Sequence, residues 1–375
     1  MIYFLYRSYT PNTAYTNRAL AYFKNIEKLK IPITVVYFLP DSARSRIRED
    51  FKYINFKYYW DRYFLNHKRL QFFSYHWYLN LFSRNLKSGD KVYIYGYSDI
   101  CKIILRRKDV EVFFEVTECP EVSLPSSPLC KVDISDHISL CKKVSRLIVI
   151  SQSLKDYYIS KGVDSSLIQV VNMTVDTTRF LGITKTQSVE KYIAYCGTIS
   201  NDKDGVDCLI KAFAIFIKKH HDIKLYIIGS APPNNNLISN VQLIDSLGIN
   251  GSIVFKGLIP AHEMPQLLVN AEALVLSRPN NLQARYGFPT KLGEYLLTGN
   301  PVVVSAVGDI PLFLKDGISA FLTQPDSPID FAEKITWIFE HYNEAVAVGK
   351  EGRHVAIRYF DAFEETKKLM EVIKN

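Results

Sequence analysis

Residues 285–305 read RYGFPTKLGEYLLTGNPVVVS, and the fold is decided by how this stretch is read. The apolar run Ala273–Leu276 ahead of it predicts a buried strand, followed by a loop over 277–285. Gly287, Phe288 and Pro289 then form a tight turn. Positions 290–298 carry a helical pattern, with Leu292, Leu296 and Leu297 on one face and Glu294 on another. Gly299 and Asn300 stop that helix, and 302–304 begins the next strand. Strand, glycine turn, helix and strand in this order can hold an anion at the helix N-terminus. The N–H groups on offer belong to Gly287, Phe288, Thr290 and Lys291, because Pro289 has none. Glu294 lies one turn further in, where a carboxylate could accept from ribose hydroxyls.

The rest of the chain extends this unit in both directions. Apolar runs at 2–6, 33–39, 92–95, 110–116, 147–150 and 168–171 predict strands, most of them separated by helical patterns. Further strands are expected at 192–196, 224–228 and 253–255. Such alternation indicates α/β architecture with parallel, doubly wound sheets. The loop at 8–14 lacks the glycines of a dinucleotide fingerprint, which weighs against an NAD-type dehydrogenase. A length of 375 residues exceeds one typical core. The expected division is a first domain over 1–183, a polar linker over 184–190, a second domain over 191–355 and a crossing helix over 356–375.

On these residues the chain resembles the retaining family-4 glycosyltransferases. Their signature is a Glu, then Gly-Phe, a second Glu eight positions after the first, and Gly-x-Pro-Val-Val. Gly287, Phe288, Glu294, Gly299, Pro301, Val302 and Val303 match it, whereas Tyr286 stands where the first Glu would be. That Glu usually touches the transferred sugar. The segment 197–205, GTISNDKDG, resembles the family's Gly-Arg-x-x-x-x-Lys-Gly loop, with Lys203 as the lysine and Thr198 in place of the arginine. Arg285, Arg278 and Lys291 are the candidates to replace that lost cation. The segment 170–180, VVNMTVDTTRF, resembles the end of the family's first domain.

The resemblance implies two facing Rossmann-like doubly wound domains (the GT-B type) and a last helix crossing back to the first. It also implies metal-independent, retaining transfer of a sugar from a nucleotide-diphosphate sugar to a glycan or lipid-linked acceptor, in cell-surface polysaccharide biosynthesis. Lys203 and Glu294 would be the catalytic pair. Donor contacts would come from Gly197, Gly229, Lys256, Leu258, Arg285, Tyr286, Gly287, Phe288, Pro289, Thr290 and Lys291. Arg18, near the start of the first long helix, and Glu118, after the strand at 110–116, are acceptor-side candidates. A solvated helix residue and a helix-capping carboxylate are their plainer readings. No cofactor beyond the nucleotide sugar and no metal are expected. A non-catalytic nucleotide-sugar-binding subunit and a nucleotide-sugar epimerase on the same fold stay open as alternatives.

Charge placement adds an independent observation. Residues 1–110 hold 20 Lys and Arg against 8 Asp and Glu, while the whole chain carries only +8, so the remainder is negative. Basic residues and aromatics interleave over 44–76. Such a surface suits an anionic membrane face, or is simply a solvated basic face over an aromatic core; nucleic acid is the least favoured partner. No run approaches the roughly 20 apolar residues of a membrane span. The expected location is the cytoplasm, with peripheral attachment to the inner face of the plasma membrane. The six cysteines show no Cys-x-x-Cys spacing and indicate neither zinc nor disulfides.

Overall fold

The computed structural model describes the chain apart from residues 12, 42, 63–67, 125–131, 187–189 and 232–235, and apart from the side chains of 61, 62 and 68–72. Tyr63, Phe64, Gln187, Ser188, Pro232, Pro233 and the Phe72 side chain therefore lie outside the described residues. The chain divides into two compact units. One comprises Met1–Met173 with Ala362–Asn375, and the other Thr174–Asp361. The first division thus precedes the polar stretch 184–190, and the second falls at Asp361 rather than at 355.

The first unit holds seven parallel strands: β1 (Ile2–Tyr6), β2 (Ile33–Tyr37), β3 (Ile54–Tyr58), β4 (Lys91–Tyr95), β5 (Glu111–Val116), β6 (Arg146–Val149) and β7 (Ile168–Val170). Their order is β3-β2-β1-β4-β5-β6-β7. Strands covered on both faces need continuous apolar runs, and β2 is buried at every position. The helix Ala14–Lys28 starts at Thr13, whose side chain accepts from the N–H of Thr16 at 3.2 Å. It packs against the last helix, Ala362–Lys374. Leu369, Met370 and Ile373 of that last helix join Phe4, Tyr22, Phe23 and Tyr93 in one core.

Glu115, on β5, is buried in this core and carries a charge that must be answered there. Arg18 answers it, donating through Nε to Oε1 at 2.7 Å. Tyr22 donates to the same oxygen at 3.1 Å, and Tyr93 donates to the other. The aromatics expected to face a partner are mostly core too. Tyr58 and Trp60 pack against Tyr37, and Tyr59 stacks on Phe38. Arg44, Arg46 and Arg48 are exposed.

The second unit holds six parallel strands: β8 (Lys191–Cys196), β9 (Ile223–Ile228), β10 (Ile253–Gly257), β11 (Ala273–Leu276), β12 (Val302–Ser305) and β13 (Phe321–Thr323). Their order is β10-β9-β8-β11-β12-β13. In both units the order reverses beside the first strand, at β1/β4 and again at β8/β11. Open sheets of this kind bind ligands at such a point, outside the carboxyl ends of the strands. The stretch expected as a crossing helix over 356–375 is shared by two helices, Tyr342–Phe360 and Ala362–Lys374. They part at Asp361, which pairs with Val175.

Candidate active site

The switch point of the second unit gathers most of the singled-out residues. Gly197 follows β8, Gly229 follows β9, and Ser277 and Arg278 follow β11. The Gly229 backbone has φ of 135°, and a Cβ there would overlap the Gly197 carbonyl oxygen. A Cβ on Gly197 would in turn overlap Lys291 Nζ and press on the Tyr195 hydroxyl. Gly197 thus leaves open the space that Lys291 fills, and Gly229 lets its own backbone approach the Gly197 carbonyl.

Lys291 is the second residue of the helix Thr290–Leu297, where a cation opposes the helix dipole and needs an anion. Asp204 supplies it: Lys291 Nζ donates to its Oδ2, and the Tyr195 hydroxyl lies 2.8 Å from the same oxygen. Burial alone would raise the Asp204 carboxyl, but Lys291 and Arg278 together hold it below the usual range. Burial lowers the Lys291 ammonium, and Arg278 and Lys203 lower it further against the pull of Asp204. Lys291 thus pairs with Asp204 at a helix N-terminus, with Arg278 acting on both groups and Lys203 on the lysine.

The segment 198–204, read as a loop, contains a short helix, Asn201–Asp204. Ser200 caps it, accepting from the N–H of Lys203 at 3.2 Å. Lys203 is half-buried. The substitute cations sort clearly. Lys291 pairs with Asp204 and the buried Arg278 lowers its carboxyl electrostatically, whereas the exposed Arg285 donates through Nε to Asn280 Oδ1 at 2.7 Å.

The turn before the helix differs from expectation at Gly287. The Gly287 N–H is already used, donating to the Gln283 carbonyl at 3.0 Å because Leu282–Tyr286 is itself helical. The N–H groups of Phe288, Thr290 and Lys291 have no acceptor among the described residues. The Phe288 side chain is a core peg between Phe313 and Phe360. Tyr286 is half-buried at the end of the preceding helical turn, and Pro289 is the N-cap position.

Glu294 pairs with Arg179, a residue the sequence reading passed over inside 170–180. Burial pushes its carboxyl up and the Arg179 guanidinium pulls it back. On the β10 side, Lys256 places its ammonium 4.1 Å from the centre of the Tyr226 ring, and Leu258 is 78% exposed.

The first unit treats its two candidates differently. Arg18 is buried: besides Glu115 it donates to the carbonyls of Asn172 at 2.7 Å and Val171 at 2.9 Å, and it is 3% exposed. A solvated helix residue does not describe it. The need to neutralise Glu115 explains its burial. Glu118 is half-exposed after β5 and does not cap the short helix Pro120–Ser123.

Residues 190–341 match the family model described as glycosyl transferases group 1. The chain is 24% identical over 253 residues to the D-inositol 3-phosphate glycosyltransferase of Corynebacterium kroppenstedtii, covering 62% of this chain and 53% of that one. It spans about half the length of the curated relatives it matches. Over its whole length it superposes on Anabaena Alr3699/HepE solved with UDP, with a TM-score of 0.77, 18% identity and coverage of 100% and 99%. The same protein solved with UDP-glucose gives 0.76 at 19% identity, again over 100% and 99%.

This is a GT-B fold with a glycosyl transferases group 1 segment. Within that segment lie Lys203, Asp204, Arg278, Lys291 and Glu294, whereas Arg179 precedes it by eleven residues. In the GT-B setting the two parallel sheets and the returning last helix are the expected architecture. No helix among the described residues is long and apolar enough to cross a membrane.

Proposed function

We propose that the protein transfers a sugar from a nucleotide-diphosphate sugar to a glycan or lipid-linked acceptor, with retention and without a metal. The observation that carries this is the ion pair of Lys291 with Asp204 at the start of the helix Thr290–Leu297, where the N–H groups of Thr290 and Lys291 have no acceptor among the described residues. Cleaving the anomeric bond builds negative charge on the leaving diphosphate. Fixed cations and helix-end amides stabilise that charge more in the transition state than in the bound donor. Lys291 takes the part of the arginine that Thr198 replaces, and Lys203 adds to it.

Glu294 accepts from the ribose hydroxyls, while the backbone at Gly229, Lys256 and Leu258 borders the base. Tyr286 adjoins the sugar in place of the usual carboxylate. The acceptor hydroxyl attacks from the face the diphosphate leaves. Its oxygen bonds to the anomeric carbon, the bond to the diphosphate breaks with its electron pair, and a diphosphate oxygen receives the proton. UDP is the favoured base because Anabaena HepE was solved with UDP and with UDP-glucose. A role in cell-surface polysaccharide synthesis at the cytoplasmic membrane face belongs to the same proposal. It draws support from the exposed arginines 44, 46 and 48 and from Trp77, 61% exposed on the helix Lys68–Asn85.

The test is calorimetry of the purified protein with UDP-, GDP- and ADP-sugars, alongside release of the nucleoside diphosphate. Binding followed by slow hydrolysis or transfer is expected for one base. Failure to bind any of them removes the proposal, and binding without turnover leaves a nucleotide-sugar-binding subunit.

A further inference from the structure

Arg179 lies in the 3₁₀ turn Thr177–Phe180, far from Glu294 in sequence. That turn is held from several sides. Asp176 accepts from the N–H of Thr178 at 3.0 Å, and Thr177 donates its hydroxyl to Asp361 at 2.7 Å. The N–H of Val175 donates to the Phe360 carbonyl at 2.8 Å, and the Phe180 ring is buried. The guanidinium on this anchored turn grips two elements. Nη2 donates to the Ala261 carbonyl at 2.9 Å, and Nη1 donates to Glu294 Oε1.

The other carboxylate oxygen, Oε2, has no partner among the described residues. An ionised carboxylate offers about four acceptor sites, so pinning one oxygen leaves the second to meet a ligand in a set direction. The pair is 34% and 25% exposed at its two side chains, and ion pairs that wet contribute little to stability. Its chief effect is directional.

We infer that Arg179 is a positioning residue for ribose recognition: by holding Glu294 through Oε1, it aims Oε2 at the ribose hydroxyls of the donor nucleotide. The inference rests on the proposed donor site and adds to it a residue outside the family-matched segment. A flexible Glu294 would have to be ordered at each binding event, whereas the gripped one is already set. Arg179 never touches the nucleotide in this arrangement and acts only through Glu294.

The test compares UDP with 2′-deoxy-UDP and 3′-deoxy-UDP by calorimetry on the parent protein, Arg179→Gln, Arg179→Lys and Glu294→Gln. Hydrogen bonds to a charged acceptor correspond to a preference of the parent for UDP of roughly 10-fold or more over at least one deoxy analogue. Arg179→Gln should weaken UDP while leaving that deoxy analogue almost unchanged, so that the preference collapses toward that of Glu294→Gln. Arg179→Lys should keep part of it. A purely structural role would weaken UDP and its deoxy analogues together, and that result overturns the inference. So does an undiminished ribose preference in Arg179→Gln, or in Arg179→Lys if the glutamine variant does not fold. If the parent binds UDP without any ribose preference, this inference alone falls. If the parent binds no UDP, GDP or ADP, the donor-site reading falls and takes the inference with it.

Discussion

The ammonium of Lys291 is buried against the carboxylate of Asp204, a partner 87 residues earlier in the chain. The pair joins a helix N-terminus to the short helix that follows β8. If it stabilises the leaving diphosphate, Lys291→Met should slow turnover by at least ~100-fold, about 2.7 kcal/mol of barrier. Lys203→Ala should act in the same direction by the same route. Steady-state rates at saturating donor decide both, and parent-like turnover in either variant removes that lysine from catalysis.

Asp204 also fixes a pH dependence. Its carboxyl is held below the usual range, so its charge contributes stability above the unfolded value near 4, and this is lost as pH falls through the folded value. Lys291→Met should therefore destabilise the fold most near neutral pH. Urea unfolding of parent and variant at pH 7 and pH 3.5 should show the gap narrowing in acid. A constant gap would mean that Asp204 does not depend on Lys291.

Gly197→Ala tests the space rather than the charge. The added methyl group would occupy the position of Lys291 Nζ, whose flexible stem can swing aside. Turnover should fall toward that of Lys291→Met, and the melting temperature by no more than in that variant. Gly229→Ala meets backbone instead, at a φ of 135°, and should lower the melting temperature outright. Equal thermal losses in the two variants would contradict this division.

The Arg18–Glu115 pair should behave as architecture. Glu115→Gln leaves the Arg18 guanidinium buried without its counter-charge, at a cost of about 3–5 kcal/mol. Denaturant unfolding should show that loss in the first unit, whereas the affinity of the second for nucleotide stays at the parent level. Weakened nucleotide binding with an unchanged unfolding midpoint would return Arg18 to the functional site, with Glu115 beside it.

Membrane attachment makes a separate prediction. Basic residues near an anionic surface contribute about 1 kcal/mol each, attenuated over roughly 8 Å at physiological salt. The protein should sediment with anionic liposomes at low salt and be released at high salt. Replacing Arg44, Arg46 and Arg48 with Ser, or Trp77 with Ser, should reduce the bound fraction. Equal sedimentation with neutral liposomes, or none with either, argues against it.

Most strands were legible because buried parallel strands are continuous apolar runs. Two escaped. Ile54–Tyr58 is an edge strand whose Asn55 and Lys57 face outward, and its aromatics suggested a surface although they pack inward. Phe321–Thr323 is too short to show a period. At the candidate site the glycines and Glu294 were visible as a motif. Asp204 and Arg179 were not, because each matters through a partner distant in sequence. One signal was present for the first: a lysine in the opening turn of a helix runs against the dipole and calls for a nearby acid. Nothing local marked Arg179, whose meaning comes from the turn that carries it.

The first unit is built from both ends of the sequence, since the helix Ala362–Lys374 completes a core begun by β1 and the helix Ala14–Lys28. During synthesis its first 173 residues leave the ribosome long before that helix exists. The second unit is continuous and can close its own core as soon as Asp361 has emerged. Order of synthesis and order of completion are thereby reversed: the half made first finishes last. Until then the core that Leu369, Met370 and Ile373 complete stays open, a place for a chaperone to hold the nascent chain.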